Sequence, residues 1–351
     1  MRFDRACILS AYPPLECVPL GAGPCCSTAL SSLVGVCARM VCLTTVALGF
    51  LAVPTIVWLV TYFVPLLLVA VLPPQNLKKK YGAKWALVTG GGSGIGKALV
   101  EELALQGLNV VIVSMDDKFL ADTFALVSSK FPGQEFRKVG ATFSPGVDYM
   151  DKIKAVTSDI NVQCVFNNAG FIVTGFYESS AEGKQMANLE CNATAAAKIS
   201  HHFVGRMIRE KQKGCVVFTS SVAAYCPTPF SAMYGATKAF LSNLAASLSV
   251  EVRCKGIDVL SVHPSPVASQ FYSNLDHTIE LMDKAKESAV PPNVLPREIL
   301  KSIGRVVWRD IGGMAVGVRV GTKMLSYNFL ATAFSMVGPY LPDYKKNDVG
   351  R

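Results

Sequence analysis

From Met40 to Leu77 no position carries a charge. The run "MVCLTTVALGFLAVPTIVWLVTYFVPLLLVAVL" extends to Leu72, well past the roughly 20 apolar residues that cross a bilayer core. From Lys84 onward the texture changes, and short apolar runs alternate with amphipathic stretches of helical period. The runs "KWALVTG", "LNVVIVS", "FRKVGAT", "VQCVFNNAG", "GCVVFTSS" and "IDVLSVHP" have strand length and strand composition. Strands separated by helices predict an α/β fold with a doubly wound parallel sheet, covered on both faces, in a single Rossmann-type domain behind an N-terminal membrane segment.

These shifts divide the chain into a tail without periodicity (1–28), a membrane anchor (29–77), the α/β domain (78–310) and a C-terminal apolar segment (311–351). Within the last, Met324 to Leu341 is uncharged and suits an interfacial or a buried helix, and it stands as a candidate second membrane contact. A straight helix over the anchor overshoots a hydrocarbon core of roughly 30 Å, so it must tilt, kink near Pro54 or Pro65, or fold back as a hairpin. Lys78, Lys79, Lys80 and Lys84 follow the anchor, whereas only Arg39 lies close before it. That asymmetry places the α/β domain on the cytosolic side.

The chain has 351 residues, is 51% hydrophobic and carries a formal charge of +9, part of which is this lysine collar. No basic stripe interleaved with aromatics marks a nucleic-acid surface, so no nucleic-acid partner is expected. Six of the eleven cysteines (Cys7, Cys17, Cys25, Cys26, Cys37, Cys42) precede or enter the apolar run, as acylation sites or small apolar filler. Cys164, Cys191, Cys215, Cys226 and Cys254 are scattered through core elements and are expected reduced. There is no C-x-x-C pair, the four histidines lack metal-ligand spacing, and no G-x-S-x-G elbow occurs, which argues against metal, dithiol and serine-hydrolase chemistry.

Two stretches carry candidate chemistry. The first strand runs into "TGGGSGIGKALVEELALQG", which puts Thr89, Gly90, Gly94 and Gly96 at a strand-to-helix turn. There glycine permits close approach of a pyrophosphate, and the helix N-terminus offers unpaired N–H groups. In "SAMYGATKAFLSN", Tyr234 and Lys238 stand one helical turn apart on one face. An ammonium at that distance is expected to lower the phenol's pKa from near 10 toward a value useful for acid/base work at neutral pH.

The order T-G-x-x-x-G-x-G, then N-N-A-G (Asn167 to Gly170), then Ser221, then Y-x-x-x-K resembles the short-chain dehydrogenase/reductases over about Lys84 to Phe271. The anchor, "KKKYGAKWALVTG" and "PTPFSAMYGATKAFLSNLAASLSVEV" further resemble the membrane-anchored 3-oxoacyl-CoA reductase and 17-beta-hydroxysteroid dehydrogenase subgroup. The resemblance implies that Tyr234 protonates a ketone oxygen, Ser221 rather than Ser220 orients it, Lys238 supports the phenol and the nicotinamide ribose, and Asn192 rather than Asn188 relays protons. It implies cofactor contacts from Thr89, Gly90, Ser93, Gly94, Ile95, Gly96, Ser114, Met115, Asp116, Asn168, Ala169, Gly170, Pro264 and Val267, beside Tyr234 and Lys238, with Asn167 holding backbone nearby.

Three positions depart from the family's pattern. Ser114 and Met115 stand where an acid or an arginine usually reads the ribose end, "VGATFS" lacks the aspartate usual against the adenine, and Ser265 replaces a glycine. NADP(H) is favoured by the subgroup resemblance, with NAD(H) the alternative. The expected substrate is a long-chain 3-oxoacyl-CoA in fatty-acid elongation, the alternatives being a hydroxysteroid or 3-ketosphinganine. A non-catalytic nucleotide-binding scaffold in a lipid-synthesis complex is the rival of another class. The expected address is the endoplasmic reticulum membrane, and a homodimer is the expected assembly.

Overall fold

The computed structural model describes residues 26–347 apart from 273, 274, 276, 278, 281, 282 and 284–288. The tail to position 25, with Cys7, Cys17 and Cys25, lies outside the described residues. The first helix, α1 (Cys26–Val71), runs unbroken through Pro54 and Pro65, so the hairpin alternative is not what this chain adopts. Its stretch Ala52–Val71 is, by length and composition, the single helix among the described residues able to cross a membrane.

The chain divides into two compact units at Phe63/Val64, and the second contains the α/β domain. It opens with the short α2 (Leu77–Tyr81), started by Asn76, whose side chain accepts the Lys79 N–H, and ended by Gly82 at φ +67°. Two of the collar lysines are tied to the domain. Lys78 Nζ donates to the Gly107 carbonyl at 3.1 Å, and Lys80 pairs with Asp258 at 2.8 Å.

Seven strands form one parallel sheet in the order β3-β2-β1-β4-β5-β6-β7: β1 (Trp85–Thr89), β2 (Asn109–Ser114), β3 (Phe136–Gly140), β4 (Val162–Asn167), β5 (Gly214–Thr219), β6 (Ile257–Pro264) and β7 (Trp308–Ile311). The first six are the six expected runs. Successive side chains point to opposite faces of a strand, and both faces are apolar and covered. One face packs Leu87, Val111, Val113, Val165 and Val216 against α5 (Tyr149–Val156), α7 (Ala195–Arg209) and α8 (Ala232–Val252). The other packs Ala86, Val88, Val110, Ile112 and Val217 against α3 (Gly94–Leu105), α4 (Lys118–Lys130) and the helix Leu295–Ser302. On that second face Cys164 and Cys215 sit side by side across β4 and β5, both fully buried.

The seventh strand was not expected, because "WRDI" carries two charges. Those charges are buried but partnered. Arg309 donates to Glu298 at 2.9 Å, and Asp310 accepts the Tyr225 hydroxyl at 2.7 Å. The strand crosses the expected boundary at residue 310 and leads into the helix Gly313–Met324, after which the uncharged stretch from Met324 to Leu341 forms the helix Tyr327–Val337 and the 3-10 turn Gly338–Tyr340.

Candidate active site

The carboxyl ends of β1, β4 and β5 are laced together by two polar side chains. Thr89 Oγ1 accepts the backbone N–H groups of Asn168 and Ala169 at 2.9 and 3.0 Å. The Asn168 amide in turn donates to the Thr89 carbonyl and accepts from Thr219 Oγ1 at 3.2 Å. This bracing belongs to Asn168. Asn167, expected to hold nearby backbone, turns instead to Ser200 on α7 at 2.9 Å.

The turn into α3 is closed by glycine. Gly90 adopts φ +64° with Ala169 directly against it, and a Cβ on Gly96 would overlap the Gly90 carbonyl. Ser93, the residue before the helix, makes no side-chain cap, so the first N–H groups of α3, from Gly94, Ile95 and Gly96, keep their capacity for an anion. Ser114 packs beside Gly92, and the exposed Met115 stands at the end of β2. Asp116 lies against Gly140 at the end of β3, and Asp117 caps α4 by accepting the Leu120 N–H. These residues fit the two phosphates and the ribose of a dinucleotide.

Around the expected acid/base pair the geometry sorts the candidates. Ser220 is buried, bonded at 2.8 Å to the Lys238 carbonyl and to Ser242, and so faces α8. Ser221 is half-buried, accepts the Ala223 N–H at 3.2 Å, and interacts with the Tyr234 hydroxyl. Lys238 is 3% exposed and donates from Nζ to the Thr219 carbonyl at 2.8 Å, with Nζ 5.5 Å from the Tyr234 ring centre. That is one of three ammonium donors, and Gly170 leaves open the space beside Nζ.

Asn192 lies in a π-helical turn, Glu190–Thr194, between α6 (Glu182–Leu189) and α7, a local widening that recurs at functional sites. Its Oδ1 accepts the Phe171 N–H, and its Nδ2 donates to the Phe171 carbonyl and to Thr237 Oγ1. Asn188 donates to that same carbonyl at 2.7 Å.

The electrostatics depart from the expected lowering of the phenol. Burial pushes Tyr234 above its ordinary value and nearby Tyr272 adds to this, while the Ser221 interaction acts to lower it. Burial likewise drives Lys238 down to about 8, against a small opposing effect of Cys191. Burial therefore holds the proton on the Tyr234 phenol, and the Ser221 interaction opposes it.

Three features were missed from sequence. Phe271 sets its ring 5.8 Å from that of Tyr234, and Thr237 joins Tyr234 to Asn192 by donating to the Tyr234 carbonyl at 2.7 Å. Behind Lys238, the fully buried His263 bonds Ser242 at 2.9 Å and so joins the Ser220 pair. The T-K dipeptide was the available signal for Thr237; for His263 none existed before β7 was known. Ser265, the unusual residue after Pro264, accepts the Ala315 N–H at 3.1 Å and so fastens the helix Gly313–Met324. Val267 follows, buried and bridged to Val290.

The short chain dehydrogenase family pattern matches residues 84–280, over half of the 351-residue chain. The chain is 32% identical over 200 residues to hydroxysteroid dehydrogenase-like protein 1 of Gallus gallus, covering 56% of this chain and 60% of that one. It is 30% identical over 285 residues to the very-long-chain 3-oxoacyl-CoA reductase of Meyerozyma guilliermondii, covering 77% and 75%. The match thus spans about 60 to 75% of these relatives' own length.

Among solved structures, a 7beta-hydroxysteroid dehydrogenase aligns at TM-score 0.64 and 24% identity over 72% of this chain and 97% of that one. A short-chain dehydrogenase from Sphingobium yanoikuyae in complex with NADPH aligns at 0.58 and 23%, covering 69% and 95%. A 3-ketoacyl-(acyl-carrier-protein) reductase from Brucella melitensis complexed with NADH aligns at 0.56 and 21%, covering 65% and 96%. At these identities the structures establish the fold, which accommodates either cofactor. On the family match and this shared architecture, the chain belongs to the short-chain dehydrogenase/reductase family, a family of NAD(P)-dependent oxidoreductases that also includes a relative named inactive hydroxysteroid dehydrogenase-like protein 1, of Homo sapiens, 33% identical over 203 residues.

Proposed function

We propose that this protein reduces a ketone on a lipophilic substrate to a secondary alcohol at the expense of NAD(P)H, with a long-chain 3-oxoacyl-CoA as the preferred substrate and NADPH as the preferred cofactor. The observation that carries the reading is Lys238 Nζ held 5.5 Å from the Tyr234 ring, with Ser221 acting on the same phenol, in a domain whose helix α3 starts uncapped. The name of the Meyerozyma guilliermondii relative supports the acyl-CoA choice, and the hydroxysteroid names support a steroid as the alternative.

In this reading a bound nicotinamide supplies the hydride to the carbonyl carbon. Ser221 donates to the ketone oxygen and polarises the bond, and Tyr234 gives its hydroxyl proton to the same oxygen as negative charge develops there. Burial, which raises the phenol above its usual value, suits a group that must arrive protonated. Lys238, with one N–H on the Thr219 carbonyl, would offer its remaining N–H groups to the ribose of the cofactor and to the phenolate. Asn192, by clamping Phe171, fixes the loop that follows Gly170.

Purified protein in detergent, given NADPH and a long-chain 3-oxoacyl-CoA, is expected to form the 3-hydroxyacyl-CoA with one NADPH consumed per product. Binding of NADPH without turnover of any acyl-CoA or steroid ketone would favour the scaffold reading instead. The anchor and its flanking charges support a place in the endoplasmic reticulum membrane with the catalytic domain in the cytosol, and protease added to sealed microsomes should then remove that domain.

A further inference from the structure

The C-terminal helices end in an apolar surface that the domain leaves uncovered. In the helix Tyr327–Val337 no residue is buried. Phe329 and Met336, seven positions apart and hence on one side of the helix, are both exposed, Met336 at 69%. Met324 and Tyr340, at its two ends, are each 77% exposed, and Leu325 and Val337 are exposed beside them. Contiguous apolar exposure of this kind on a folded domain marks a surface that meets something.

Within the segment that carries the patch the charges are of one sign. From Ile311 to Pro342 the sequence contains no acidic residue. Exposed Lys323 precedes the apolar helix and exposed Lys345 follows it, while Asp343, the first acid, is buried and accepts the Glu280 N–H at 2.8 Å. A helix of 11 residues is about 16 Å long at 1.5 Å per residue, too short to cross a core of roughly 30 Å. Apolar side chains bordered by lysines, with tyrosines at both ends, on a helix too short to span match the chemistry of the headgroup boundary of an anionic bilayer.

The patch is also coupled to the site. Tyr344 packs its ring edge-on against Phe176 at 5.1 Å and lies 6.3 Å from Phe230. Those two rings touch each other, and Phe230 accepts the Gly175 N–H at 2.9 Å. Phe176 and Phe230 stand on the loops that lead from Gly170 and into α8, the loops that carry the substrate side of the site. At the other end, Ser265 holds the start of Gly313–Met324.

We infer that the surface formed by Met324, Leu325, Phe329, Met336 and Tyr340 docks in the headgroup region of an anionic lipid bilayer, as a second and shallow membrane contact that sets the substrate-side loops at the lipid surface. The inference does not depend on the ketone-reductase reading, since it concerns where this surface lies and not what the site converts.

The test uses the full chain with Phe329→Trp, an exposed position that tolerates a ring, reconstituted in vesicles of phosphatidylcholine and phosphatidylserine. Emission is compared with and without lipids brominated at shallow or deep acyl positions, after subtraction of the parent protein's signal. The added tryptophan should be quenched most by shallow bromines and little by aqueous iodide, and Lys323→Glu with Lys345→Glu should reduce that quenching several-fold in anionic but not in neutral vesicles. A tryptophan quenched by iodide and indifferent to brominated lipid overturns the proposal. So does one shielded from both, which would mean that a second copy or another protein covers the patch.

Discussion

The side-chain amide of Asn192 grips both polar groups of one residue, accepting the Phe171 N–H at 2.9 Å and donating to the Phe171 carbonyl at 2.9 Å. Leucine of similar size at 192 would leave the Phe171 N–H without its partner, while the carbonyl keeps Asn188. The cost expected is about 1–3 kcal/mol of stability. If the π-turn also positions the reaction, Asn192→Leu loses turnover beyond this, whereas Asn188→Leu loses stability and keeps turnover. Denaturant unfolding and steady-state rates on the two variants separate the roles.

Tyr234→Phe removes the proton donor and preserves nearly all the volume. Reduction should fall by about 10²- to 10⁴-fold with NADPH affinity close to the parent value. Single-turnover hydride transfer and cofactor titration on the same preparation check both halves; a fully active variant would show that Tyr234 only packs.

Lys238 is held in the domain at a depressed pKa, about 8 against an ordinary 10.5. Between those values the unfolded chain binds a proton that the native one does not, so stability rises with pH through that window, by about 3 kcal/mol in all. Lys238→Met should flatten the rise, stabilise the protein at pH 7, and cost activity. Urea midpoints from pH 7 to 10.5 give the comparison.

Burial also drives His263 down to about 3 from 6.5, with Arg319 adding to it. Here the unfolded chain takes up the proton first as pH falls below 6.5, so stability declines on acidification toward pH 3. His263→Gln, which can still meet Ser242, should soften that acid limb; an unchanged limb would assign it to carboxylates instead.

Met115→Arg places a forked cation at the end of β2. A well-aligned charged hydrogen bond of about 1.5–3 kcal/mol raises the NADPH over NADH preference by roughly 10- to 100-fold. No change in the ratio of the two dissociation constants would move the ribose end away from Met115.

The strands and the order of the motifs were legible because they rest on local patterns. Apolar runs of strand length mark β1 to β6, and the tight strand-to-helix turn demands glycine at 90 and 96. What stayed hidden depends on partners distant in sequence. Arg309 and Asp310 make β7 look like a loop until Glu298 and Tyr225 are placed beside them. The spacing of Tyr234 and Lys238 gave their neighbourhood but not their charge states, because the desolvation that dominates both pKa values comes from the whole domain packed around them. Asn168 and Asn167 are adjacent, and only the pleat decides which reaches Thr89.

The paired thiols at the centre of the sheet make this chain its own reporter of mechanical integrity. Cys164 and Cys215 lie on neighbouring strands with no exposed surface, and burial raises the Cys215 thiol, so an alkylating reagent reaches them only when β4 and β5 part. Cys254 is exposed and reacts at once. The ratio of the fast to the slow modification rate, followed by mass, reports the free energy of opening in an intact lipid bilayer.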